Sequence, residues 1–292
     1  MKKKKIRLKG HETFCIREGW LEKGMEAVAK DSTVFSKMYG ADALGVGANM
    51  AKSIRYWLKA CGLTEEKSGK YPCLSEFGKM VYQYDPYLEK DFTLWCIHIN
   101  LVRNQKLATT WYLFFSLFEE LEEFTKDNLY IILKNRLRNF LEGEKFNEHS
   151  LEEDVRILLQ MYSREKLEKN DPEDKKICPL AKLGIIRKTG NTYKKGEPNL
   201  NRISPEVLLY YLQSRFEEGN AIYMEDLFEE TEGVAGVLGI SRSVLGEYLD
   251  ILAGYGYVDL NRTAGLDMIY IKSSLTKEEV TERIYLGKCV LH

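Results

Sequence analysis

Residues 44–63, LGVGANMAKSIRYWLKACGL, constrain the fold of this 292-residue chain more than any other stretch. A short glycine-bearing turn leads into one helical run. Its apolar positions, Met50, Ile54, Trp57, Leu58 and Cys61, recur at spacings of 4, 3, 1 and 3. At about 100° per residue these fall on one stripe. The opposite side carries Asn49, Lys52, Arg55, Tyr56 and Lys59. One face is therefore predicted to pack on a core. The other offers three cations, an amide and a phenol ring, the set with which a helix in a DNA groove holds phosphates and reads base edges.

The next residues extend the pattern. GLTEEKSGKYPCLSEFGKMVY reads as a turn, a short β-hairpin with a Lys-Ser-Gly-Lys tip, and a closing helix. Helix, hairpin and return predict a winged helix-turn-helix over residues 31–84. Lys67 and Lys70 would stand on the wing, where backbone phosphates are met. The whole chain has a net charge of −1, so DNA contact must come from a local basic patch and not from bulk charge.

The rest of the chain divides by its own patterning. Residues 1–30 give a basic arm, MKKKKIRLKG, and a first helix around Trp20 to Ala29; the arm reads as flexible or as an edge strand. No apolar segment follows the arm, so it is not a signal peptide, and no run reaches the ~18 apolar residues of a membrane span. A cytoplasmic location is expected. Residues 85–164 form a helical body: an apolar helix capped by Asp91 or Thr93, an aromatic-rich helix through Trp111 and Phe118, a helix over 127–142, and one opened by a Ser150-x-x-Glu153 capping box. Residues 165–177, EKLEKNDPEDKKI, read as a charged linker.

Residues 178–292 hold a central hairpin with a basic, Gly-containing tip, a helix capped by Ser204 with Pro205 in its first turn, and a second winged-helix pattern. In ISRSVLGEYLDIL the inward set is Val244, Leu245, Tyr248, Leu249 and Leu252. Glu247 and Asp250 face outward and would repel phosphates, which points to a structural or protein-contacting role despite Arg242 and Arg262. The fold class is mainly α with small β-hairpins (α+β), with winged units at both ends of a helical middle.

Enzyme signatures are sparse. There is no GxxxxGK[ST] loop and no GxSxG elbow, and Gly45-x-Gly47 lacks the context of a dinucleotide site. Six scattered cysteines without a CxxC pair, and four histidines, do not make a zinc site and read as reduced thiols. His98 sits in an apolar helix as a satisfied core histidine. In HETFCIREGWLEKG, His11 and Glu12 read as ties for the arm, with Arg17 close by and Phe14 and Trp20 in the core; acid–base or metal chemistry at His11 and Glu12 is the less favoured reading. The Lys194-Lys195 tip reads as a solvated turn that is also able to extend a basic surface. Neither cofactor nor metal is predicted.

Three segments, GHETFCIREGWLEKG, LGVGANMAKSIRYWLKACGL and DPYLEKDFTLWCIHINL, together resemble the uncharacterised bacterial family DUF4007, over nearly the whole chain. The resemblance gives no catalytic residues that map onto this sequence. It implies a genetic setting beside PAPS-reductase-like and cysteine-desulfurase proteins, in DNA phosphorothioation or phage-defence clusters. The expectation is a non-enzymatic accessory or regulatory protein that contacts double-stranded DNA. The alternative is an interaction adaptor of a modification complex, and a metal-dependent nuclease is the third reading.

Overall fold

The computed structural model describes residues 4–36, 38–66, 71–116, 118, 121–164, 177–196, 202–216, 220–229, 231–263, 266–272 and 275–288. The first part runs α1 (Trp20–Lys30), α2 (Ala41–Leu44), α3 (Ala48–Ala60), β1 (Thr64–Glu65), β2 (Cys73–Leu74) and α4 (Glu76–Tyr84). A helical middle follows: α5 (Asp91–Val102), α6 (Thr109–Phe115), β3 (Glu123–Thr125), α7 (Lys126–Phe140), α8 (Glu148–Tyr162) and β4 (Ser163–Arg164). The last part holds β5 (Ile186–Thr189), β6 (Thr192–Lys195), α9 (Pro205–Arg215), β7 (Ala221–Tyr223), α10 (Met224–Glu229), α11 (Val234–Leu238), α12 (Arg242–Gly254), β8 (Val258–Thr263), β9 (Leu266–Ile271) and α13 (Lys277–Tyr285). Among the described residues three small sheets form, ordered β1-β2, β3-β6-β5-β4 and β7-β9-β8. The chain is thus α+β with helices dominant. The predicted linker lies almost wholly outside the described residues.

α5 is the hub. Every residue from Thr93 to Val102 is buried except Asn100, so the helix is covered on all sides and has no amphipathic stripe. It packs on α6 and α9, and the buried apolar side chains from Cys15 to Val280 form one contiguous cluster around it. Neither Asp91 nor Thr93 caps it. Instead the Asp85 carboxylate accepts from the Glu89 and Lys90 N–H groups at its entry, and Thr93, fully buried, bonds the Tyr285 hydroxyl. His98 is the expected core histidine. Its Nε2 lies 2.7 Å from the Val237 carbonyl and its Nδ1 2.7 Å from the Tyr162 hydroxyl. A carbonyl only accepts, so Nε2 carries the proton and Nδ1 accepts from Tyr162. Burial holds this imidazole down at a pKa of about 4.

α7 starts one residue earlier than predicted, behind a Thr125–Asn128 capping box. α8 begins a full turn before the predicted box, because the Asn147 side chain accepts from the Ser150 N–H and makes Ser150 an interior position. The β1–β2 hairpin packs close to α4. A Cβ on Gly78 would stand 1.9 Å from the Leu63 carbonyl oxygen, so only glycine permits this approach.

The N-terminal arm is neither loose nor a strand over residues 4–11. It is a strap across α6, α7 and α8. Lys4 donates to the Phe140 carbonyl at 2.9 Å, the Arg7 N–H to Thr109, and the Lys9 N–H to Asp154 at 2.8 Å. Further along, the Phe14 carbonyl accepts from the Trp57 indole, and Arg156 donates to the Thr13 carbonyl. Trp20 is buried as expected, whereas Phe14 is half-buried. The arm's backbone donors thus find acceptors on the body, which fixes its path.

Candidate nucleic-acid interface

α3 follows α2 after a three-residue turn, Gly45-Val46-Gly47, whose first residue takes the left-handed conformation. The inward side of α3 is wider than its apolar stripe: Ala51, Ser53, Ile54, Tyr56, Trp57, Leu58 and Ala60 are all buried. What remains at the surface is a narrow strip of Asn49, Lys52, Arg55 and Lys59. Lys52 Nζ lies 3.4 Å from Asn49 Oδ1. Arg55 and Lys59 both reach Glu66, at 3.4 and 2.8 Å. The Lys59 hydrogen bond is the main cause that holds the Glu66 carboxyl below its ordinary range, so it is ionised at neutral pH. Arg55 and Lys59 therefore share a single carboxylate.

Tyr56 is the correction. It is 5% exposed and donates from its hydroxyl to the Leu107 carbonyl at 2.8 Å. The strap explains why. Arg7 stacks over its ring, and a Cβ on Gly10 would lie 2.3 Å from it. Helix periodicity placed Tyr56 opposite the core, but α3 is packed on two sides, by α1 and by the arm, and Tyr56 faces the second. Lys67 and Lys70 lie outside the described residues. Glu66 carries no sequence signal of its own beyond being a carboxylate immediately before the Lys-Ser-Gly-Lys tip, the place for a counter-charge.

His11 is fully buried. Its Nε2 bonds Asp154 Oδ1 at 2.8 Å, and Asp154 Oδ2 accepts from Thr110 at 2.6 Å. The imidazole stacks on Trp57, with Trp111 edge-on. His11 and Thr110 meet the same carboxylate and not each other, so the imidazole does not stand beside the hydroxyl as a base would in a nucleophilic triad. The cluster joins the strap to α6 and α8. Asp154 escaped the sequence reading, yet a carboxylate three residues after Leu151 and four before Leu158 falls on α8's buried stripe, and that is the signal of a buried anchor. Among the described residues no group of three or more His, Cys, Asp or Glu side chains is placed to hold a metal ion. Cys15, Cys61, Cys73, Cys96 and Cys178 are free thiols, and Cys289 lies outside the described residues.

The C-terminal counterpart differs in charge. On α12, Glu247 and Asp250 are exposed, as expected. Arg242 pairs with Glu225 and Glu229, Arg262 with Asp250, and Lys272 with Asp259. Its surface cations are thus matched. A polar cleft between the β1–β2 hairpin, α5 and α13 is matched in the same way: Arg103 is held by Glu232 and Ser214, and Lys277 lies beside Glu278.

A family model described as "Protein of unknown function (DUF4007)" matches residues 8–285. Two crystal structures share the fold. One, described as magnesium ion-bound SspB, aligns with a TM-score of 0.77 and 22% identity over 97% of each chain. The other, described as SspB, gives 0.77 and 22% over 96% of this chain and 86% of its own. No curated protein matches. No helix among the described residues is long and apolar enough to cross a membrane.

Proposed function

The chain belongs to the DUF4007 family of proteins of unknown function, and for it we propose a DNA-binding accessory or regulatory role in the cytoplasm, in a DNA-modification or phage-defence system. The contact is made by the α3 strip, Asn49, Lys52, Arg55 and Lys59, with the β1–β2 hairpin as its wing. In this reading α2, α3 and the hairpin are one winged helix-turn-helix unit. The segment from β7 through α10–α12 and the β8–β9 hairpin is the other. The observation that carries the proposal is the charge contrast between them. On α3 two cations, Arg55 and Lys59, share one carboxylate, while at the α12 surface Arg242 has two carboxylates and Arg262 has its own. Phosphates compensate such an excess, and the released counterions supply the affinity.

The wild-type chain is therefore expected to bind duplex DNA in a fluorescence-anisotropy titration, with affinity falling steeply as salt rises. Changing Lys52, Arg55 and Lys59 together to Ala should weaken binding and flatten that dependence. Unaltered binding by the triple variant refutes the assignment. Magnesium is named for one of the similar structures, so the same protein is also incubated with supercoiled plasmid and Mg²⁺. Intact plasmid fits a binding role; nicked plasmid would make the contact the docking step of a nuclease.

A second reading, an adaptor within a modification complex, draws on the outer face of the β7-β9-β8 sheet. There Tyr223 and Tyr270 are 45% and 38% exposed, with Met268 in register beside Tyr223. Exposed aromatics grouped on one face suit a protein partner. A pull-down with neighbouring gene products such as a PAPS-reductase-like protein, set beside the DNA titration, separates the two readings.

A further inference from the structure

The β3-β6-β5-β4 sheet presents a feature that the α3 reading leaves unused. In β5 and β6, Arg187 pairs in register with Lys194, Lys188 with Tyr193, and Thr189 with Thr192. Side chains directly opposite in an antiparallel pair point to the same face, with Cβ atoms about 4.5–5.5 Å apart. Successive residues alternate between faces. The inner face takes Ile186, Lys188, Tyr193 and Lys195. There Tyr193 stacks on Phe124, the Lys188 ammonium lies 5.9 Å from the Tyr193 ring, and that of Lys195 lies 5.9 Å from the Phe118 ring. The outer face takes Arg187, Thr189, Thr192 and Lys194. Arg187 and Lys194 are both exposed.

Two like charges directly opposite on adjacent strands destabilise a sheet. The usual remedy is a carboxylate. Glu123 stands in register on the far side of Lys194, yet the two make no ion pair within 4.0 Å, and neither the Arg187 nor the Lys194 side chain has a hydrogen-bond or ion-pair partner among the described residues. On α12 the arginines are paired with carboxylates, and on α3 Arg55 and Lys59 share one; the Arg187 and Lys194 side chains meet none among the described residues. The four outer positions of this hairpin also carry no aromatic ring, so the hairpin lacks a platform on which unpaired bases stack.

We propose that the outer face of the β5–β6 hairpin is a second, sequence-independent contact for the phosphate backbone of duplex DNA, made by Arg187 and Lys194. Arg187 supplies a planar fork that fits phosphate oxygens, and Lys194 adds a point charge about one strand away. Thr189 and Thr192 border the pair with small polar side chains that leave a backbone room to approach. The contact stands on the sheet's own charges. It shares with the α3 proposal only the premise that the ligand is DNA.

The test replaces both cations with threonine, which keeps β-propensity and matches the residues already on this face. Arg187→Thr/Lys194→Thr should bind a fluorescein-labelled duplex roughly tenfold more weakly at about 50 mM salt, with a log–log salt slope smaller by about 1.8, that is about 0.9 for each lost phosphate contact. Its thermal midpoint should match or exceed wild type, because a repulsion is removed; a normal midpoint also shows that the weakened binding is not a folding defect. Wild-type affinity and slope in the folded variant overturn the proposal, even if the α3 triple variant loses binding. Loss of binding in the sheet variant with the α3 variant unaffected sustains it while refuting the α3 assignment. Anionic phosphatidylserine vesicles serve as the competing polyanion: a wild-type chain that binds them through these two residues and does not bind duplex overturns it as well.

Discussion

Replacing His98 tests how the C-terminal helices are fastened to the middle of the molecule. His98 lies on α5, accepts from Tyr162 on α8 and donates to the Val237 carbonyl on α11. Burial lowers its pKa from an ordinary 6.5 to about 4. The folded state therefore holds the neutral ring while the unfolded chain takes up a proton below pH 6.5. Stability from this residue is full above pH 6.5 and is lost progressively as pH falls towards 4. Across that interval the loss is about 3 kcal/mol, at about 1.36 kcal/mol per pH unit. A His98→Gln variant keeps a donor and an acceptor but has no proton to gain. It should be less stable at pH 7, since a buried ring is removed, yet its urea unfolding free energy should fall less between pH 6.5 and pH 4 than that of wild type, by about 3 kcal/mol. Parallel pH profiles for the two proteins would refute the buried neutral histidine and the linkage drawn from it.

Two further perturbations follow from the charged groups. Asp154→Ala removes the acceptor shared by Lys9, His11 and Thr110, leaves a buried imidazole donor unpaired, and should cost about 3 kcal/mol; limited proteolysis would then cut within the first 18 residues well before the body, and resistance equal to wild type would contradict the strap. Glu66→Gln removes the carboxylate that Arg55 and Lys59 share; duplex affinity should rise severalfold in an anisotropy titration, and the gain should shrink as salt increases. A wild-type affinity in that variant would mean that the α3 strip does not face phosphate.

The sequence exposed most of the helical scaffold, because long amphipathic runs and caps are local signals. α3 and the Ser204–Pro205 start of α9 stand where their residues placed them, and α7 starts within one residue of its predicted position. The hidden part was set by contacts distant in sequence. Tyr56 is covered by an arm whose path depends on Asp154, some hundred residues later, and periodicity within one helix carries no trace of it. The same holds for α8, where two candidate caps lie three residues apart and Asn147, not Ser150, makes the bond. At the proposed interface, residue type and helix face identified Lys52, Arg55 and Lys59. Their shared counter-ion, Glu66, required the geometry of β1 and its continuation. The register of β5 against β6, which sets Arg187 opposite Lys194, follows from a two-residue Gly190-Asn191 connection and was visible only as a basic, Gly-containing tip.

The most direct test of the α3 assignment is the salt dependence of duplex binding by wild type and by the Lys52→Ala/Arg55→Ala/Lys59→Ala variant, measured by anisotropy across a salt series. If the three side chains meet phosphates, the variant's log–log slope is smaller by about 2.7 and its affinity falls at every salt concentration. Superimposable lines for the two proteins, with both folded, would contradict the claim that α3 contacts DNA.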